Sequence, residues 1–573
     1  MNRRFPVILL YGLLLLWSGS LRAQYVIRDA AEDRWYKNSI IYNLDVHTFK
    51  DSDGDGQGDF QGLIQQLDYL KGLGVDALWL APFQPSPRRD DGYDVADFYG
   101  VDSTCGTPGD FAAFMYQAKL RGLRVIMDMV LNHTSDAHPW FKRARQDTAS
   151  PYHQWYAWTQ QRPSNYDKGM AFPGVQREVW SYDSVAKAWY YHRFYRFQPD
   201  LNFANPYLRS EAERILAYWL QQGVAGFRLD AVPFMIEVAT PGVDQPPQQY
   251  EVITGMQRFV QWHNGSAIVL GEANVPPEDN VKYFGENGEG LQMMFNFYVN
   301  QYLFYAFATG KPALLVKALQ DTKKKPATAQ WAYFLRNHDE IDLGRLSTKQ
   351  RNEVYQAFGP DTSMQLYDRG IRRRLAPMFN NNRPLMEMAY SLLFALPGTP
   401  VIRYGEEIGM GDDLRLQERL AVRTPMQWSS ALQAGFTTAP KAFRPVISGG
   451  DYGYEKVNVA AQQQNPGSLL RVIQELIRLR RQCPEIGLGS WEIQQVAPAV
   501  LLMRYTFKGK SVLTLHNFSK MAQQVRLNAA AGDDYLLELT DKDKRQQLQP
   551  VNRRYDILLP GYGYKWYRVN AAL

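Results

Sequence analysis

The chain has 573 residues, of which 45% are hydrophobic and 21% charged, with 43 glycines and 32 prolines. These proportions exclude a disordered chain, a fibrous repeat and a low-complexity class. The formal net charge is only +6, and the basic runs Arg372–Arg374 and Lys542–Arg545 are short, which speaks against a nucleic-acid partner. Two cysteines, Cys105 and Cys483, are too few for a disulfide framework or a zinc knuckle and read as free buried thiols.

In chain order, the first element is a targeting segment. Met1-Asn-Arg-Arg is positive, Phe5–Trp17 is almost unbroken apolar sequence, and Ser18 to Ala23 supplies small residues before Gln24. This reads as a signal peptide over residues 1–23, with no stable membrane span after cleavage and a mature protein that is periplasmic or secreted. Retention of the segment as an anchor stays open. Beyond it, strand-like runs alternate with helical ones. The strands are Ser39–His47, Asp76–Pro82, Arg124–Asn132, Val224–Asp230, Ala267–Glu272, Gln292–Phe297, Trp331–Asn337 and Thr399–Gly405. Phe60–Leu73, Asp110–Arg121 and Leu469–Arg481 carry apolar residues at helical spacing.

Eight short apolar strands with crossover helices predict an α/β fold, a (β/α)8 TIM barrel over residues 33–132 and 203–484. Residues 133–202 are polar and aromatic without clean periodicity, too long for a simple loop, and read as a subdomain inserted after strand three. From 485 to 573 the runs Val500–Thr506, Ser511–His516, Gln524–Leu527, Tyr535–Leu539 and Tyr564–Val569 predict an antiparallel β-sandwich.

The chemistry of a barrel sits at the C-terminal ends of its strands. Here those ends read Asp128…Asn132-His133, Gly226-Phe-Arg228-Leu-Asp230, Glu272 and Asn337-His338-Asp339. A single such aspartate reads as a helix cap; three carboxylates beside Arg228 and His338 do not. Paired carboxylates, one ionised and one protonated, are what glycosidic cleavage needs. Arg228, two residues before Asp230, points to the same side of its strand and would keep that carboxylate ionised. A second cluster, Asp51, Asp53, Asp55 and Asp59 at alternate positions of a glycine-rich loop, is the pattern of a hard-cation site, the alternative being a solvated acidic turn.

These strings, with Gln198-Pro-Asp200-Leu-Asn202, resemble the α-amylase superfamily, glycoside hydrolase family thirteen, over residues 33–573. The resemblance implies Asp230 as nucleophile, Glu272 as acid/base and Asp339 as transition-state stabiliser. It implies that Asp90, Tyr93, His133, Arg228, His338 and Arg423 line the subsite for the transferred glucose. It implies structural Ca2+ on Asp51, Asp53, Asp55, the Gln57 carbonyl and Asp59. A second Ca2+ would be shared by Asn132 and Asp200 with Glu237 and the carbonyls of Phe234 and Met235, or those two residues merely hydrogen-bond the domain junction. No organic cofactor is implied.

Within the family the finer resemblance is to the trehalose synthases, through Arg89-Asp-Asp-Gly-Tyr-Asp94, Gly370-Ile-Arg-Arg-Arg-Leu-Ala-Pro377 and Arg423-Thr-Pro-Met-Gln-Trp428. The segment Gly169–Val179 departs from that pattern, as do Glu406 and Ala460. The expected substrate is a small α-glucoside, maltose or a malto-oligosaccharide. The expected reaction is intramolecular glucosyl transfer from maltose to trehalose, the alternative being hydrolysis by an α-glucosidase or α-amylase. Homo-oligomerisation is left open.

Overall fold

The computed structural model describes residues 34–541 and 546–570. The expected signal peptide and the Lys542–Arg545 run lie outside the described residues. Eight parallel strands close into a barrel: Ile41–Leu44, Ala77–Leu80, Arg124–Met129, Gly226–Leu229, Ile268–Gly271, Met293–Phe295, Gln330–Phe334 and Thr399–Arg403. Each pairs with its sequence neighbours, and the last closes on the first through Ile41 opposite Val401. Ile41, Trp79, Ile126, Leu270, Phe295, Phe334 and Val401 form one buried cluster with Trp35 and Tyr36. A larger cluster joins the strands to the surrounding helices. The barrel is thus a packed core, and only its rims are free for chemistry.

Several elements end earlier than their apolar runs suggest. Strand one stops at Leu44 because Asp45 caps a helical turn, its side chain accepting from His47 N. The expected helix Phe60–Leu73 is two, Phe60–Gln65 and Leu67–Leu73, with Gln66 at their junction in a non-helical conformation. Strand four begins at Gly226, where φ is +152° and a Cβ would fall 2.3 Å from the Ile268 carbonyl oxygen. Only glycine allows the two strands to approach there, and that approach sets Arg228 and Asp230 against strand five.

Residues 133–202 include the helix Pro139–Gln146 and a three-stranded antiparallel sheet of Trp158–Thr159, Ala188–Tyr191 and Trp180–Asp183. An insertion the sequence did not reveal follows strand seven: a three-stranded sheet of Ile341–Asp342, Gly370–Ile371 and Gln365–Leu366. The C-terminal sandwich packs a six-stranded sheet on a two-stranded one, Gln523–Asn528 paired with Arg554–Leu559. Val500, Leu502 and Leu515 meet Val525, Tyr555 and Ile557 between the sheets. Strands Ser490–Ala497, Gln547–Leu548 and Arg554–Leu559 were not in the expected set. Cys105 and Cys483 are free and buried. No helix of the described residues is long and apolar enough to cross a membrane.

Candidate active site

Arg228 is the hub of the rim. It is 1% exposed; its Nη1 donates to Asp128 Oδ1 and to Asp230 Oδ1, each at 2.6 Å, and its Nη2 to Glu272 Oε2 at 2.7 Å. A buried guanidinium is tolerable because carboxylates neutralise it through charge-assisted bonds. Ala231, directly after Asp230, takes a left-handed conformation (φ +50°) rare for a residue with a side chain. That turn aims its N–H at Glu272 Oε2, 3.1 Å away. The strain is spent on orienting the carboxylate.

The three expected catalytic carboxyls differ in proton affinity. Burial raises Glu272 to about 7 against the pull of Arg228, with the charges of Asp230 and Asp339 adding to the rise. Burial raises Asp230 to about 6, again opposed by Arg228. Burial acts on Asp339 too, but His338, Arg419 and Arg423 together hold it well below the usual carboxylate range. Protons therefore leave in the order Asp339, Asp230, Glu272, which leaves one acid beside two carboxylates at intermediate pH.

Tyr93 stacks on His338 with ring centroids 5.3 Å apart and planes 7° from parallel. Its hydroxyl lies 2.9 Å from Asp128 Oδ2 and 2.7 Å from His338 Nε2, and that nitrogen is 3.0 Å from Asp339 Oδ2. Burial lowers His338 to about 3, so the ring is neutral. Its Nδ1 is buried without a partner, which fits a proton on Nε2 shared between Asp339 and the Tyr93 oxygen, with Tyr93 donating to Asp128. His133, lowered by burial to about 4, meets the Tyr93 carbonyl through Nε2 at 2.9 Å.

A cavity of about 470 Å3 opens over these groups, lined by Asp90, Tyr93, His133, Asp230, Glu272, His338 and Asp339. That volume suits a small molecule, for which roughly 300–1,000 Å3 is usual. Arg228 and Arg423 stand behind the lining carboxylates. Arg423 donates to the His338 carbonyl at 2.9 Å and to Asp339 Oδ1 at 3.0 Å.

Other lining residues were not found by sequence reasoning. Arg419 bridges Asp339 Oδ1 and Asp90 Oδ1, each at 2.9 Å. Glu340, raised by burial to about 7, lines the wall with Asp342 and Arg369. Asn274 Nδ2 donates to Asp342 Oδ2 at 2.7 Å. Glu340 adjoins Asp339 and Asn274 lies two residues past Glu272, so adjacency to the motifs was the available signal. Arg419 and Arg369 carry no local signal at all.

The divergent segment Gly169–Val179 forms part of the cover. Phe172 stacks on Tyr367 at 4.6 Å, and the Arg419 guanidinium lies 4.9 Å from the Phe172 ring. Arg369 Nη2 donates to the Ala171 carbonyl at 2.9 Å, and the hydroxyls of Tyr195 and Tyr367 both donate to Glu418 Oε2. Insertions after strands three, seven and eight thus meet above the carboxylates.

In the acidic loop, Asp51, Asp53 and Asp59 each present a carboxylate oxygen within 4.8 Å of the others, and Asp55 lies outside that group. Asp51 accepts from Asp53 N, Gly54 N, Gly56 N and the Thr437 hydroxyl. Asp59 caps the following helix through Gly62 N at 2.7 Å. Among the described residues none of the four aspartates has an ion-pair partner. The bond from Asp55 N lowers the Asp53 carboxyl, yet burial and the charges of Asp55, Asp59 and Asp51 leave it raised. Such a donor set fits a hard cation.

At the domain junction, the Asn132 Oδ1 and Glu237 Oε2 atoms are buried without a partner, and burial raises Asp200 to about 8. Those oxygens fit a cation, but the Arg193 guanidinium stands 3.8 Å from Glu237 and already supplies positive charge there.

Residues 46–367 and 368–489 match the family described as alpha amylase, catalytic domain, and residues 509–568 the sucrose hydrolase-like C-terminal domain. The chain is 37% identical over 549 residues to the trehalose synthase/amylase of Mycobacterium tuberculosis, covering 94% of this chain and 91% of that protein. It is 38% identical over 554 residues to the trehalose synthase of a Pimelobacter species, covering 94% and 96%. Among solved structures, the trehalulose synthase of Pseudomonas mesoacidophila superposes with a TM-score of 0.74 at 25% identity, covering 94% and 99%.

Proposed function

The chain belongs to the α-amylase family of glycosidases and glucosyltransferases, and on that premise we propose that it isomerises maltose to trehalose through a covalent glucosyl-enzyme. The observation that carries this reading is the cover. Phe172, Tyr367 and Arg419 meet over the carboxylates, in a cavity of small-molecule size. Its relatives of 37% and 38% identity bear the names trehalose synthase/amylase and trehalose synthase.

Glu272, the carboxyl of highest proton affinity, donates to the glycosidic oxygen while Asp230 attacks the anomeric carbon. Asp339, kept ionised by His338 and the arginines, balances the positive charge that develops on the sugar ring. One guanidinium holds both Asp230 and Glu272, which supports the short separation of a retaining pair, roughly 5 Å. The released glucose stays under the cover, turns, and attacks through its anomeric hydroxyl, with Glu272 now taking the proton. Water entering first gives two glucoses instead, so isomerase and hydrolase differ in water exclusion. Ca2+ would be held by Asp51, Asp53 and Asp59 with Asp55 and the Gln57 carbonyl, as a structural clamp on the loop after strand one. For the second position, the unpartnered Asn132 and Glu237 oxygens support a cation less strongly, because Arg193 competes. The N-terminal apolar run supports an extracytoplasmic location.

The test is a product assay on maltose alone. Trehalose should exceed free glucose from the first turnovers, and the excess should grow on cooling, because opening the cover breaks many contacts at once. Glucose as the dominant early product, without trehalose, would establish the hydrolase.

A further inference from the structure

The end of the barrel opposite the cavity carries features the reaction does not use. Residues 34–37 enter there: Trp35 Nε1 donates to the Ser266 carbonyl at 2.8 Å, the Tyr36 hydroxyl to Thr328 O, and Lys37 Nζ to Ala327 O at 2.6 Å. The Arg124 guanidinium lies 4.8 Å from the Trp35 ring. Around this point the loops that feed the strands are basic. Arg34, Lys71, Lys119, Arg124, Lys323 and Lys324 are exposed, Lys323 with its Nζ donating to the Trp491 carbonyl at 2.8 Å. Of the acidic groups on the same loops, Asp68 and Asp76 are each paired with an arginine, Arg121 and Arg481. Asp321 is likewise paired, with Lys317, and Glu286 and Glu289 remain against the six basic side chains, which leaves this end positive.

Two large apolar side chains stand out from the same end. Trp262 is 85% exposed and Leu120 62% exposed. They occupy the last turns of the helices Tyr250–His263 and Pro108–Leu120, whose C-termini lie at this rim, and Trp262 is four residues before the Ser266 that Trp35 touches. A bare tryptophan gains by lying at the level of lipid headgroups, where its ring leaves water and its N–H stays bonded. Lysines beside it are drawn to anionic phosphates. The apolar run Phe5–Trp17 precedes Arg34 by only sixteen residues, so in an unprocessed chain that run is joined to the barrel at this end.

We infer that the N-terminal end of the barrel is a docking surface for an anionic lipid bilayer, with Trp262 at headgroup level and the cavity facing away. Full-length enzyme is mixed with vesicles of phosphatidylcholine with or without phosphatidylglycerol. The segment before Arg34 carries arginines of its own and keeps the same preference in every variant, so the part of the difference that K323E/K324E removes reads the basic end. Partitioning onto phosphatidylglycerol vesicles should be roughly tenfold or more above that onto phosphatidylcholine, and the excess should vanish at high salt.

K323E/K324E should remove most of the excess, and Trp262→Ser should lower it, while both variants turn over maltose at the wild-type rate, which shows them folded. Acetylation mapping should find Lys323, Lys324, Lys71 and Lys119 protected by anionic vesicles and Lys168 and Lys187 of the inserted subdomain unprotected. Equal partitioning onto the two compositions, an excess that K323E/K324E leaves undiminished, or protection centred on the inserted subdomain overturns the inference. So does protection of the same lysines in a lipid-free dimer, which would make this end a contact between copies.

Discussion

Two carboxylate clusters follow barrel strands, and they are held in opposite ways. Around the cavity, Asp128, Asp230, Glu272, Asp90 and Asp339 are bound by the guanidinium groups of Arg228, Arg419 and Arg423. In the loop after strand one, Asp51 and Asp59 are bound by backbone N–H groups and hydroxyls, including Gly54 N, Gly56 N, Gly62 N and the Ser52 hydroxyl. The first cluster carries its own countercharge, so its members can differ in proton affinity and exchange protons with a substrate. The second is fixed in place but not neutralised, and its remaining charge calls for a cation from outside. An acidic cluster's role therefore depends on what holds it as much as on how many carboxylates it contains.

The sharpest way to break the comparison is to disable the chemistry without touching the frame. Asp230→Asn and Glu272→Gln should each lower kcat/KM on maltose by ~10^4-fold or more, with the melting temperature nearly unchanged. A variant that kept a tenth of the rate would remove these residues from the reaction.

Removing the built-in countercharge should cost the fold itself. Arg228→Leu leaves Asp128, Asp230 and Glu272 buried beside one another, and denaturant unfolding should register a loss of about 3–5 kcal/mol. Whatever activity remains should need a higher pH, because without the cation the carboxyls hold their protons more tightly. An unchanged midpoint would mean that the carboxylates are neutralised some other way.

The converse experiment tests for the proposed external cation. Chelation should lower the melting temperature by several degrees and leave the initial rate at low temperature nearly unchanged, since the acidic loop is not part of the cavity lining. Re-addition of Ca2+ should restore the melting temperature. A melting curve indifferent to chelator returns the loop to a solvated acidic turn.

The finest test reads the proton affinities. The proposed reaction needs Asp230 ionised and Glu272 protonated, so kcat/KM should rise with pH through about 6 and fall through about 7, a narrow bell. Glu272→Asp should move the alkaline limb and spare the acid one. A flat profile from pH 5 to about 8 would contradict the assignment of Glu272 as the acid.

The barrel is legible in local strings, and so is the position of the carboxyls proposed to react. Short apolar strands with helices between them have one economical closure, and a motif read at a strand end lands on the rim, so Asp230, Glu272 and Asp339 were found from local strings. Local pattern failed where one residue contradicted its surroundings. Strand Arg554–Leu559 was missed because Leu558, 60% exposed, breaks the alternation of Tyr555, Ile557 and Leu559. Strand one was read too long because the capping by Asp45 competes with an apolar run that continues past it.

The cover and the charge network over the site arise only in the folded chain. Phe172, Tyr367 and Arg419 come from three different loops, and Arg369 reaches Ala171 across 198 positions. Nothing in the chain near any of them encodes the others. Their meeting is set by the order of strands around the barrel, which brings the loops after strands three, seven and eight to the same rim. The ordering of the proton affinities belongs to that level too, because it follows from burial and from arginines that converge only once the barrel has closed.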